Sequence, residues 1–287
     1  MRKLMTLLLS LTALMTYSQP RQAYSIFTAD GKETDYGQML KTLRDADIIF
    51  IGETHNCPVA HWMEYEITSD MIRKFPKGLT LGAEMFETDN QLLVDEYTGG
   101  FISSDRFETE AKLWDNYWTD YSSLLYLARE HKLKFVATNV PRRYASFVKD
   151  NGLEALNDLP DAAKSLMAPL PIPFDVQAQD GAMFGFMQMM EGKGSGNSHF
   201  AEAQAIKDAT MAWFISRNFD RKFIHYNGNF HSDHRGGIIP YLEQYLPGKK
   251  IATICSVRQD KTDSLDKENR ERADFIIVAP TDFPMSY

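Results

Sequence analysis

Asp47-Ile48-Ile49-Phe50-Ile51-Gly52-Glu53-Thr54-His55 is the stretch that decides the fold of this 287-residue chain. A β-branched run, apolar on both faces and stopped by glycine, is a strand covered by helices on either side. The same signature returns in Leu79-Thr80-Leu81-Gly82-Ala83, Lys134-Phe135-Val136-Ala137 and Lys222-Phe223-Ile224-His225-Tyr226. Ile251-Ala252-Thr253-Ile254 and Phe275-Ile276-Ile277-Val278 complete the set. Helical patterns lie between them, at about 58–75, 120–131, 199–218 and 238–246. Alternating strands and helices predict an α/β fold with a mostly parallel, right-handed central sheet flanked by helices. Residues 141–220 interrupt that rhythm. They are helix-like apart from loops at 168–173 and 192–196, and predict a helical subdomain inserted within a single α/β domain of residues 19–287.

Outward to the N-terminus, Met1-Arg2-Lys3 and the apolar run Leu4–Met15 have the form of a signal peptide, too short for a permanent membrane helix. Thr16-Tyr17-Ser18 places small residues at the cleavage positions, so the expected mature chain starts at Gln19 in the periplasm or cell envelope, with no membrane span left. No cysteine follows the run, so lipoprotein processing, which needs a cysteine at the new N-terminus, is not expected. Two of the 31 basic residues and none of the 39 acidic ones lie in residues 1–18, leaving a net charge of −10. An acidic, evenly mixed chain argues against nucleic acid as a partner, because phosphate binding needs clustered Lys and Arg. The two cysteines, Cys57 and Cys255, do not make a disulfide scaffold. They could pair in an oxidising compartment, although the apolar neighbours of Cys255 favour a buried strand thiol.

In an open α/β sheet, ligands sit beyond the carboxyl ends of the strands. Four strand ends deliver polar residues there: Glu53 and His55, then Glu84, then Asn139, then Asn227-Gly228-Asn229-Phe230-His231. Carboxylates and imidazoles arriving from separate strands are the material of a metal or acid–base site. Glu53 and His55 alternate with Thr54, so an extended backbone points both the same way. His225, mid-strand among apolar residues, reads as a hydrogen-bonded core histidine, while His61 stands evenly between surface and site. Zincin, haem-attachment, nucleophile-elbow and P-loop motifs are all absent from the sequence.

Ile49-Phe50-Ile51-Gly52-Glu53-Thr54-His55 followed by a helix resembles the opening motif of the ChaN family of the haem-binding uptake/Tiki superfamily. Three further blocks agree in order. They are Trp118-Thr119-Asp120-Tyr121 leading into Ala137-Thr138-Asn139-Val140-Pro141-Arg142, then Gln204-Ala205-Ile206-Lys207-Asp208-Ala209-Thr210-Met211-Ala212, then Gly228-Asn229-Phe230-His231. The resemblance covers roughly residues 45–280. It implies an envelope haem-binding protein associated with haem or iron uptake, a homodimer around the porphyrin, and an outer-membrane haem receptor as a partner. The wider superfamily also holds metal-dependent proteases and erythromycin-esterase-like hydrolases. On that alternative Glu53, His55, Glu84 and His231 would ligate a divalent metal ion or activate water. A third reading is a structural envelope protein carrying a relic of the site.

A haem site needs an apolar slot, an axial ligand and cations for the propionates. Met183, Phe184, Met187 and Met190 fall on one helical face, a pattern that serves as core or as an adaptable binding surface. Arg142 and Arg143 stand just past a strand end as candidate propionate partners. Tyr121, Tyr144 and His231 are the candidate axial ligands, with Asn139, Gln204 and Asp208 in support.

Overall fold

Each of the six apolar runs forms a strand in the computed structural model, which describes residues 22–174 and 199–286. They are β3 (Ile48–Glu53), β4 (Leu79–Glu87), β5 (Lys134–Asn139), β6 (Lys222–Gly228), β7 (Ile251–Gln259) and β8 (Phe275–Pro280). Two short strands, β1 (Ser25–Thr28) and β2 (Glu33–Thr34), add an antiparallel edge that the sequence did not announce. The order across the sheet is β2-β1-β8-β7-β3-β6-β4-β5, and every pairing from β8 to β5 is parallel. The protein is therefore an α/β fold with a mostly parallel sheet.

Strand periodicity divides the core in two. Ile49 and Ile51 of β3 pack with Ile224 and Tyr226 on one face, under the helices Tyr36–Asp45, Pro58–Lys74 and Ser122–His131. Ile48 and Phe50 point the other way, into a cluster with Val136 and Phe223. The described parts of the 141–220 segment cover that second face. Val140, Val148 and Leu156 join Ile206, Ala209 and Ile215 of the Phe200–Asn218 helix there, along with Ile238 and Leu242 of the Ile238–Tyr245 helix. Cys57 and Cys255 are both unpaired and buried. The N-terminal leader and the methionine-rich face of 183–190 lie outside the described residues. Among the described residues, no helix is long and apolar enough to cross a membrane.

What positions the site is the order β3-β6-β4-β5, which sets the four polar strand ends side by side. Pro58 opens the helix after β3 at a position where a missing N–H costs nothing, so the chain turns from strand to helix directly behind His55. On β4, the register with β5 shifts between Ala83 and Glu87. Such an irregularity re-aims side chains, and Glu84 lies inside it. The strand continues past Glu84 to Glu87, rather than ending at Ala83 as the apolar run suggested.

Candidate functional site

Thr54 anchors the first motif. Its N–H donates to Ser256 Oγ and its hydroxyl to the Ser256 carbonyl, each at 3.0 Å, which ties the end of β3 to β7. Glu53 and His55 then meet each other, with His55 Nδ1 2.6 Å from Glu53 Oε1. The Tyr121 hydroxyl donates to that same oxygen at 2.8 Å. Gly52 leaves room for this packing, since a Cβ there would stand 2.8 Å from Asn229 Oδ1 and 2.9 Å from the Ile254 carbonyl.

A second network faces the first. Glu84 Oε2 accepts the Gly228 N–H at 2.8 Å, and Glu84 Oε1 lies 3.1 Å from His231 Nε2. His231 Nδ1 is held at 2.5 Å by Asp208 Oδ1, from the Phe200–Asn218 helix. With a carboxylate on each nitrogen, both nitrogens donate. Burial opposes charging His231, but Glu84 and Asp208 outweigh it and push the imidazole up to about 10. Burial likewise works against ionised Glu84, yet His231, His55 and the Gly228 N–H hold the carboxyl well below its usual range. For His55, burial is again outweighed, by the Glu53 hydrogen bond and by the Glu53 and Glu84 charges, so its value rises.

Between the networks lies a cleft of about 400 Å³. His55, Glu84, Asn139, Arg142, Gln204 and His231 line it, as do the aromatic rings of Trp114, Phe200 and Phe230 and the cations Lys149 and Lys207. The structure thus brings together Glu53, His55, Glu84, His231, Asn139, Arg142, Gln204 and Asp208, with Glu53 and Asp208 standing behind the two histidines. Asn139 Oδ1 is buried there without a hydrogen-bond partner. The His55 side chain keeps 38% of its exposure, and no described residue hydrogen-bonds its Nε2. A Cβ on Gly228 would sit 2.8 Å from that nitrogen and 2.9 Å from Cε1, so glycine keeps this side of the ring uncovered.

The three candidate axial ligands are placed otherwise. Tyr121 is fully buried and its hydroxyl is spent on Glu53. Tyr144 does not line the cleft, and its ring carries the Arg143 guanidinium at 4.6 Å. His231 has a carboxylate on each nitrogen. Arg143 is also engaged, through Asp89 at 2.5 Å, which leaves Arg142 as the arginine of the cleft.

His225 is the core residue expected of it. Its Nδ1 donates to Asn227 Oδ1 at 3.0 Å and its Nε2 accepts from Thr138 at 2.8 Å, while burial pushes it down to about 4. His61 is buried against Glu53 and Glu64. Lys149, Lys207 and Glu64 escaped the sequence reading. Glu64 had a signal, being an acid set in the buried stripe Ala60, Ile67 and Met71 of its helix.

The family model described as haem-binding uptake, Tiki superfamily, ChaN matches residues 39–242. The chain belongs to this family. Among solved structures, ChaN of Campylobacter jejuni, described as showing cofacial heme binding, superposes with a TM-score of 0.67 at 15% identity. That match covers 89% of this chain and 96% of the other. A Bacillus cereus protein gives a TM-score of 0.47 at 12% identity, over 85% of this chain and 90% of its own. An erythromycin esterase in its open conformation gives 0.46 at 12%, over 88% and 82%. No curated protein matches the chain in sequence.

Proposed function

We propose that this chain is a haem-binding protein of the cell envelope, which takes iron porphyrin into the cleft with the His55 imidazole as axial ligand. The observation that carries the reading is an imidazole nitrogen at the cleft that no described residue hydrogen-bonds. Glu84, His231 and Asp208 satisfy one another, whereas among the described residues His55 Nε2 has no hydrogen-bond partner. A ligating histidine ordinarily donates its other N–H to a carboxylate, which fixes the tautomer and raises its basicity. Glu53 does that here at 2.6 Å. The other needs of the group are met by this chain's own residues. Trp114, Phe200 and Phe230 supply apolar walls, Arg142, Lys149 and Lys207 supply cations for propionates, and Asn139 Oδ1 is a buried acceptor still owed a donor. Bound haem supplies an iron centre for ligand exchange and a visible absorbance.

Family membership and the cofacial binding described for the Campylobacter relative support the same reading. By that analogy we extend it to a homodimer formed around haem. The apolar leader supports export to the periplasm, where an outer-membrane haem receptor is the partner we expect. Titrating the mature protein with haemin tests the core of this. A saturable Soret band is expected, lost or shifted in His55→Ala. A flat titration would overturn the reading.

The second reading is a metal-dependent hydrolase, and the pairing of two imidazoles with carboxylates across one cleft favours it. His55, Glu84 and His231 would hold the ion and Glu53 would orient His55. It asks Glu84 and His231 to give up the partners they already have, so we place it second. Stoichiometric metal at these residues with metal-dependent turnover, and no haem band, would promote it.

A further inference from the structure

Beneath the cleft, Glu53 turns its second oxygen toward another group of ligands. His61 Nδ1 lies 2.9 Å from Glu53 Oε2 and 3.3 Å from Glu64 Oε2. One donor atom from each of Glu53, His61 and Glu64 lies within 4.8 Å of the others, and all three residues are buried. We propose that these residues form a second site, separate from the haem cleft, which holds one divalent first-row metal ion of the zinc class.

Three observations carry this. First, the buried carboxylate oxygen Glu64 Oε1 has no hydrogen-bond partner among the described residues, and Glu53 Oε2 is met only by the ion-pair contact with His61 Nδ1 at 2.9 Å. Buried carboxylate oxygens are normally satisfied, so an unpartnered one beside a second buried carboxylate marks a place where a cation belongs. Second, the histidine is already oriented for ligation. Its Nε2 lies 3.0 Å from the His55 carbonyl, which can only accept. Nε2 therefore keeps its proton, and Nδ1 is the nitrogen that faces the two glutamates; it donates to them when no ion is bound and would give that proton up to an incoming metal. Third, the charges match. Two carboxylates and a neutral imidazole cancel a divalent ion, and a mixed nitrogen and oxygen set of this kind suits zinc and its neighbours rather than calcium or magnesium. Ligands of a tetrahedral ion with bonds of about 2.1 Å stand about 3.4 Å apart, so the 3.3 Å pair is already at that spacing and the 2.9 Å pair opens by about 0.5 Å on binding.

Because Glu53 Oε1 holds His55, a metal on Oε2 would sit one carboxylate away from the cleft without occupying it. The site extends beyond the haem reading and can stand if that reading fails. The test uses the full mature protein, stripped with a chelator, dialysed against Zn²⁺ and analysed by elemental mass spectrometry. One equivalent is expected, with at least a tenfold loss of affinity in Glu64→Gln. Zinc-edge anomalous scattering from wild-type crystals locates the ion independently of how that variant folds. A peak between Glu53, His61 and Glu64 is expected. A peak at His55, Glu84 and His231, or no stoichiometric zinc, would overturn the proposal. Haemin titration of the same metal-free protein reports on the cleft separately.

Discussion

Adding one methyl group at Gly228 is the sharpest perturbation of the proposed haem ligand. The backbone there has φ −56° and ψ 141°, a conformation alanine adopts freely, so Gly228→Ala adds no backbone strain. The new Cβ would stand 2.8 Å from His55 Nε2, where ordinary contact begins at 3.4 Å. The ring must then retreat by about 0.6 Å, against a Glu53 hydrogen bond only 2.6 Å long. Losing a hydrogen bond to a charged group costs ~1.5–3 kcal/mol, and the methyl also covers the nitrogen offered to iron. Haem affinity should therefore fall by roughly 10- to 100-fold, since each ~1.4 kcal/mol is tenfold. Titration with haemin at constant ionic strength reads the affinity, and circular dichroism melting checks the fold. A Gly228→Ala protein with wild-type affinity and an unchanged Soret band would refute the idea that His55 Nε2 meets the iron.

Stability should depend on pH through His231. Its folded value is raised to about 10 from 6.5, so its contribution is complete below pH 6.5 and is lost as pH climbs toward 10. Asp208→Asn should lower the folded value and narrow that window, giving a smaller drop in Tm between pH 6 and pH 9; an unchanged drop would contradict the assignment. Export predicts that protein from the envelope fraction begins near Gln19, and recovery of intact Met1 in the cytoplasm would contradict it. The cofacial reading predicts a haem-dependent doubling of mass in light scattering after size exclusion, and a monomer at saturating haemin would argue against it.

The sheet was legible in the sequence because its central strands are buried on both faces and so are apolar without interruption. β1 and β2 were not, since strands of four and two residues at an edge carry no such run. The cleft was half legible. Strand-end residues such as Glu53, His55, Glu84 and His231 announce themselves by following apolar runs, but the choice among ligands rests on hydrogen bonds between distant segments. Tyr121 is 68 residues from the Glu53 oxygen that takes up its hydroxyl. Nothing local distinguishes it from a tyrosine open to a ligand. Lys149 and Lys207 sit on helices that approach the cleft only through tertiary packing. Glu64 carried one signal, a single acid in an apolar helical stripe, but what it serves is legible only once His61 and Glu53 stand beside it.

The central claim is that one histidine, His55, ligates haem iron through Nε2. Pulsed electron paramagnetic resonance of the ferric complex, prepared from protein carrying ¹⁵N-histidine, addresses that bond itself. The account predicts coupling to a single histidine nitrogen, absent in His55→Ala and retained in Tyr121→Phe and Tyr144→Phe. A wild-type complex with no histidine coupling, or one whose coupling survives His55→Ala, would contradict it.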